Sequence, residues 1–160
     1  MAKVLISYFS KSGNTEKVAE SIKEGLESVD SIDVVLKKVQ ETTLDDLTSS
    51  DGIIIGSPTY FGGMAAEVKE LIDKSVKIYG KLNGKVGGAF TSAGGIGCGS
   101  ETTVLGVLKA FLIHGMIIQG DQIYNHYGPV AINTPDEKVH KTGIRYGKLL
   151  GELVLKIRQK

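Results

Sequence analysis

Six consecutive residues, Ser10-Lys11-Ser12-Gly13-Asn14-Thr15, have the types and order needed to hold an anion. They follow a β-favouring run, Val4–Phe9, and lead into a segment where Val18, Ala19, Ile22, Leu26 and Val29 recur at helical spacing. The first turn of a helix has unpaired N–H groups and a partial positive charge, and a phosphate satisfies both. Ser10, Ser12, Asn14 and Thr15 add side-chain donors, and Gly13 lets the backbone come close. The same residues are also ordinary helix caps, so the phosphate reading draws its weight from the rest of the chain.

Three further stretches carry possible chemistry. Ser57-Pro58-Thr59-Tyr60-Phe61-Gly62-Gly63 sets two adjacent aromatics among small residues, which suits a flat ring stacked on an aromatic face. Either aromatic would equally plug a sheet edge. Thr91–Glu101 is rich in glycine and offers many N–H groups with few side chains to block them. It suits the polar edge of a ring, or a plain turn. His126 and Tyr127 lie in an irregular segment, Asp121–Asn133, from which they could close over a ligand. Cys98 is a lone thiol in the glycine loop, and His114 ends a helical pattern, where capping is its usual role.

These loops need a scaffold. The pattern predicts strands at Val4–Phe9, Ile32–Val39, Asp51–Gly56 (stopped by Ser57-Pro58), Val86–Ser92 and Met116–Gln119. Helices are expected over about Asn14–Ser28, Ala65–Val76, Glu101–His114 and from Thr134 to about Ile157, with a linker or helical turn at Thr42–Thr48. Thr134, Pro135 and Glu137 read as N-cap, N1 and N3 of a capping box. Strands alternating with helices call for a doubly wound parallel sheet, wrapped on both faces, in one domain spanning residues 1–160. In such a sheet ligands sit beyond the C-terminal strand ends, where Ser10–Thr15, Ser57–Gly63, Ser92–Gly99 and Asp121–Gly128 are all expected to fall.

Composition narrows the function. A formal charge of +1 argues against an extended nucleic-acid-binding face and against a strongly acidic docking surface. One cysteine rules out an internal disulfide and a thiolate metal cage, and no metal site is expected. No run reaches the ~18 apolar residues of a membrane span, and the chain enters a strand without a signal peptide, so a cytoplasmic protein is expected. There is no G-x-x-x-x-G-K-[ST], no G-x-G-x-x-G after the first strand, and no acidic residue where a receiver domain needs one. Val104, Leu105, Val107, Leu108, Phe111 and Leu112 spread around more of their helix than one sheet-facing stripe needs, which predicts self-association as a homodimer.

The combination SYFSKSGNT, GSPTYFGGMAAEVKELID, FTSAGG…GSETT, FLIHGM and HYGPVAI resembles flavodoxin-fold proteins, and among them the WrbA-type NAD(P)H:quinone oxidoreductases most closely. The resemblance covers nearly the whole chain and implies a five-stranded parallel sheet of order 2-1-3-4-5 with FMN at its switch point. It puts the FMN phosphate at Ser10, Lys11, Ser12, Gly13, Asn14 and Thr15. The ring and ribityl chain would lie against Pro58, Thr59, Tyr60, Phe61 and Gly62. Ser92, Ala93, Gly94, Gly95 and Gly97 would line the pyrimidine side, and His114 matches the family's flavin-proximal histidine. The implied activity passes electrons from NADH or NADPH through the flavin to a quinone or similar small acceptor, and the dimers of dimers that WrbA-type proteins form imply a homotetramer as the larger assembly.

The chain also departs from that family. Ser12 stands where WrbA-type proteins carry an aromatic, Val39–Leu47 and Lys77–Gly84 are short, and there is no tryptophan. SKSGNT is closer to the loop of electron-carrier flavodoxins. The alternative is therefore an FMN carrier that docks with redox proteins.

Overall fold

Val4, Ile6 and Tyr8 face one side of the first strand and Leu5 the other, and both sides are buried. A computed structural model describes residues 1–158. In it this strand, β1 (Ala2–Tyr8), pairs in parallel with β2 (Ile32–Lys38) on one side and β3 (Gly52–Tyr60) on the other. β3 folds back on an antiparallel stub, β4 (Gly63–Met64), and pairs in parallel with β5 (Val86–Ala93). β6 (Ile117–Ile118) and β7 (Val130–Ile132) both pair with β5, against its start and its end. The order β2-β1-β3-β5-β6 is the expected 2-1-3-4-5 once the stub is set aside.

The helices are α1 (Asn14–Glu27), α2 (Leu44–Ser49), α3 (Ala66–Lys74), α4 (Ser100–Ile113) and α5 (Glu137–Arg158). α1 and α5 bury Val18, Ile22, Leu26, Tyr146 and Leu150 against one face of the sheet. α2, α3 and α4 bury Leu47, Val68, Val104 and Phe111 against the other. α1 and α5 touch backbone to backbone: a Cβ on Gly25 would sit 2.0 Å from Ile144 O, and one on Gly147 2.1 Å from Ile22 O. No helix among the described residues is long and apolar enough to cross a membrane.

Several local expectations are corrected. β3 does not stop at Gly56 but continues through Ser57-Pro58 to Tyr60. Phe9 N–H bonds Gly56 O, so Gly56 and Pro58 face the β1 side, where β1 has already ended and the missing proline N–H costs nothing. The linker or helical turn expected at Thr42–Thr48 does form, as α2 (Leu44–Ser49), opened by a capping box of Thr43 and Asp46. The Thr134 box does not form; Asp136 Oδ1 instead accepts from Val139 N–H at 2.9 Å and caps α5. Of the apolar residues in α4, Val104, Val107, Leu108 and Phe111 are buried, and Leu112 is exposed. Met64 covers the helix on a second side, its methyl 3.1 Å from where a Gly106 Cβ would be. The excess apolar surface that motivated a dimer is thus half-buried Leu105 and exposed Leu112 with its neighbour Ile113.

The fifth strand is split. Between Ile118, opposite Gly87, and Val130, opposite Thr91, the chain leaves the sheet and the outward N–H of Ala89 has no strand partner. The hydroxyl of fully buried Tyr146 accepts that N–H at 3.2 Å. Gly88 leaves room for it, since a Cβ there would come within 2.9 Å of the hydroxyl. Tyr146→Phe strips a buried donor of its acceptor, and we expect a loss of about 1–3 kcal/mol, read as a lower urea midpoint at unchanged m-value.

Candidate functional site

The C-terminal ends of β1, β3 and β5 lie side by side, with Tyr8, Gly56 and Phe90 in register, so the three loops that follow share one end of the sheet. The first of them opens α1. Its N-cap is Gly13 at φ +89°, which has no side chain with which to cap the helix. A Cβ on Gly13 would meet nothing within 4 Å, so the loop is open at that residue. Ser10 Oγ accepts from Gly13 N–H at 3.1 Å and, more weakly, from Glu16 N–H at 3.4 Å, which leaves its own proton free to donate outward. Thr15 is buried, and its hydroxyl shares a 2.8 Å hydrogen bond with Ser92 at the end of β5. Tyr8 donates to the Glu16 carboxylate. Burial and that bond push the Tyr8 hydroxyl above its usual range, so it stays protonated and anchors the first turn of α1 to β1.

The second loop is the β3–β4 hairpin. Tyr60 pairs with Gly63 across a two-residue turn in which Phe61 (φ 48°) and Gly62 (φ 77°) are both left-handed. Below the turn, Thr59 and Thr91 hydroxyls bond at 2.9 Å, and Ser57 Oγ accepts from Ala65 N–H at 2.8 Å. At its tip the turn meets the third loop: a Cβ on Gly99 would lie 2.5 Å from Gly62 Cα. Gly94 and Gly97 face open space. Tyr60 is 43 % exposed, and Phe61 and Ile96 stand fully in solvent.

Two expectations are not met. His114 does not join these loops. It ends α4 near Gly115, whose carbonyl accepts from Gly84 N–H, and so lies beside the start of β5, at the opposite end of the sheet. Asp121–Gly128 does not sit beyond a strand end either. The split strand carries it along the sheet edge, where a Cβ on Gly128 would lie 2.0 Å from Ala89 O. Arg145 fixes this segment through Nε to Asp121 Oδ2 at 2.8 Å and Nη2 to Oδ1 at 3.1 Å. Although burial opposes it, the guanidinium holds the Asp121 carboxyl below its usual range. His126 Nδ1 is bound to Asp121 O at 2.7 Å, and Tyr127 and Cys98 are exposed. Sequence reasoning overlooked Thr102, and it placed Ser57, Thr91 and Gly99 in the candidate loops without giving them a role of their own, since the only signal of each is a small or hydroxylated residue at a strand end or first helical turn.

His114 has a different role. Ser75 Oγ spends its one proton on Ile72 O, so at 2.7 Å it accepts from His114 Nε2–H. Nδ1 is then a bare lone pair, buried without a partner among the described residues. Burial lowers the His114 pKa from 6.5, because a second ring proton would find no acceptor. Stability from the neutral ring is therefore complete above about pH 6.5 and is lost as pH falls through the depressed folded value. Urea unfolding between pH 8 and about pH 5 should show this loss, and His114→Gln should flatten it.

Phe61 also makes a specific prediction. A bulky residue at positive φ costs about 1–2 kcal/mol, and at full exposure it recovers nothing by packing. Phe61→Asn creates the Asn-Gly pair that this turn favours and should raise stability by about 1 kcal/mol, measured as a higher unfolding midpoint.

Residues 5–94 match the family model described as a flavodoxin domain. The chain is 35% identical to a flavodoxin of Aquifex aeolicus (strain VF5) over 96% of its own length and 88% of the relative's. It is 32% identical to a flavodoxin of Clostridium saccharobutylicum, with 97% and 99% covered. The crystal structure of a flavodoxin, WrbA-like protein from Agrobacterium tumefaciens superposes with a TM-score of 0.85 over 98% of this chain and 99% of that one. At 24% identity that likeness is one of fold and does not show the WrbA-type assignment. With half the chain under the family model and relatives above 30% identity along its length, this chain belongs to the flavodoxin family.

Proposed function

We propose that the chain binds FMN and carries electrons between redox proteins. The observation that carries this reading is the α1 N-terminus, whose N-cap is a glycine with open space around it, beside Ser10, Thr15 and Ser92 and at the same sheet end as the Tyr60–Phe61 hairpin. The residues present fit the cofactor. Lys11 is the one full positive charge in the first loop, so the phosphate would be held mainly by neutral donors: the α1 amides, Ser10, Ser12, Asn14 and Thr15. Pro58, Thr59, Tyr60, Phe61 and Gly62 would carry the ring, and Ser92, Ala93, Gly94, Gly95 and Gly97 would give backbone groups to its polar edge. Bound FMN supplies the electron transfer; the protein binds it, orients it and limits its contact with water.

The family membership supports a carrier over an enzyme. With a formal charge of +1 the chain lacks a strong field for steering, so docking would rest on contacts such as Phe61 and Ile96 at the exposed loop tips. An NAD(P)H:quinone oxidoreductase stands second, favoured by the fold shared with the WrbA-like protein and opposed by Ser12 in place of an aromatic. Leu112 and Ile113 are the apolar surface on which a homodimer would form, and light scattering decides between dimer and monomer.

Titration by flavin fluorescence quenching tests the cofactor; no saturable binding at micromolar protein would overturn it. Anaerobic mixing with NADH or NADPH separates the readings, since a carrier leaves the flavin oxidised and an oxidoreductase bleaches it. Ser10→Ala should weaken FMN roughly tenfold or more, the value of a hydrogen bond to a charged group, while riboflavin binding stays nearly unchanged. Equal losses for both ligands would put the phosphate elsewhere.

A further inference from the structure

The β3–β4 hairpin holds a conformation that its sequence does not favour, with Phe61 left-handed and in solvent. Such backbone persists where surrounding contacts over-determine it. Those contacts come from the first turn of α4. Gly99 abuts Gly62 with no space for a side chain, and Thr102 Oγ1 lies 3.0 Å from Gly62 O and 2.9 Å from Gly99 O. The hydroxyl has one proton for two carbonyls. Gly99 O already accepts from the amide and the hydroxyl of Thr103, each at 2.9 Å, which fills both of its lone pairs. The Thr102 proton therefore belongs to Gly62 O, forty residues away in sequence.

We propose that Thr102 is the positioning residue of the flavin-ring platform: by donating to Gly62 O it clasps the hairpin to α4 and fixes Tyr60 and Phe61 relative to the glycine loop. This rests on the FMN reading above. Thr102 is exposed and its side-chain hydrogen bonds go to Gly62 and Gly99, so substitution is expected to leave the fold intact.

The test compares Thr102→Val, Thr102→Ala and Thr102→Ser with the wild type. On ligand-free protein, amide hydrogen exchange of the Tyr60–Met64 segment should quicken about fivefold in the Val and Ala variants and return to the wild-type rate in Thr102→Ser. On titration, FMN and riboflavin should both weaken by a similar factor, about fivefold, because the ring and not the phosphate loses its support. The visible flavin spectrum of the saturated complex should change in the Val and Ala variants and be restored in Thr102→Ser. Wild-type exchange, an unchanged spectrum, a loss confined to FMN, or a Ser variant that behaves like Val would each overturn the proposal while the FMN reading stands. A wild-type protein that binds neither flavin would overturn both.

Discussion

The close contact between α1 and α5 is the constraint on which the rest depends. Helices normally pack 8–10 Å apart. Here Gly25 on one helix and Gly147 on the other meet the facing main chain, Gly143 makes room for the Ser21 side chain, and any Cβ at these three would strike an atom within about 2.6 Å. The contact fixes the height and angle of α1 over the sheet. Its N-terminus carries Gly13 and Thr15, so the position of the first loop is set by glycines a turn or more away from it. The Thr15–Ser92 bond then ties that loop to β5, and Thr59–Thr91 ties β5 to the hairpin. Hydroxyl pairs between neighbouring strand ends hold the site together without adding charge.

Much of this was legible in the sequence. The strand–loop–helix at Val4–Thr15 and the gathering of three loops at one end follow from alternation, helical periodicity and glycine placement, whereas the sheet order came from the resemblance to flavodoxin-fold proteins. What was not legible depended on partners distant in sequence. Nothing local in Gly143-x-x-x-Gly147-x-x-x-Gly151 shows which helix it admits. His114 matched a family position, yet the geometry of α4 carries its C-terminus to the far end of the sheet, and burial beside Ser75 makes it a structural group. The split of the fifth strand was hidden because Val130–Ile132 is short, and because the bond that replaces the missing strand comes from a tyrosine in the last helix.

The hairpin shows how stability and function oppose each other in this domain. An aromatic at the tip of a turn that prefers Asn-Gly stores strain in the free protein. The Ser57, Thr91 and Gly99 contacts offset it and keep the aromatic pair at the rim. Exposure there does nothing for folding, and it is the ring platform proposed above that would make use of it.

The gap in the edge strand also bears on how proteins of this shape diversify. Residues 119–129 leave the sheet after Ile118 and rejoin it at Val130, and both ends are anchored on β5. Closing a longer excursion between fixed ends costs only about 0.6 kcal/mol for each doubling of its length. The Ala89 amide is already satisfied from below by Tyr146, so an insertion here strands no backbone group. The three site loops hang from β1, β3 and β5 and do not depend on how long this segment is. It is therefore a graft point, where the surface shown to other molecules can be enlarged or exchanged while the cofactor cradle is inherited unchanged.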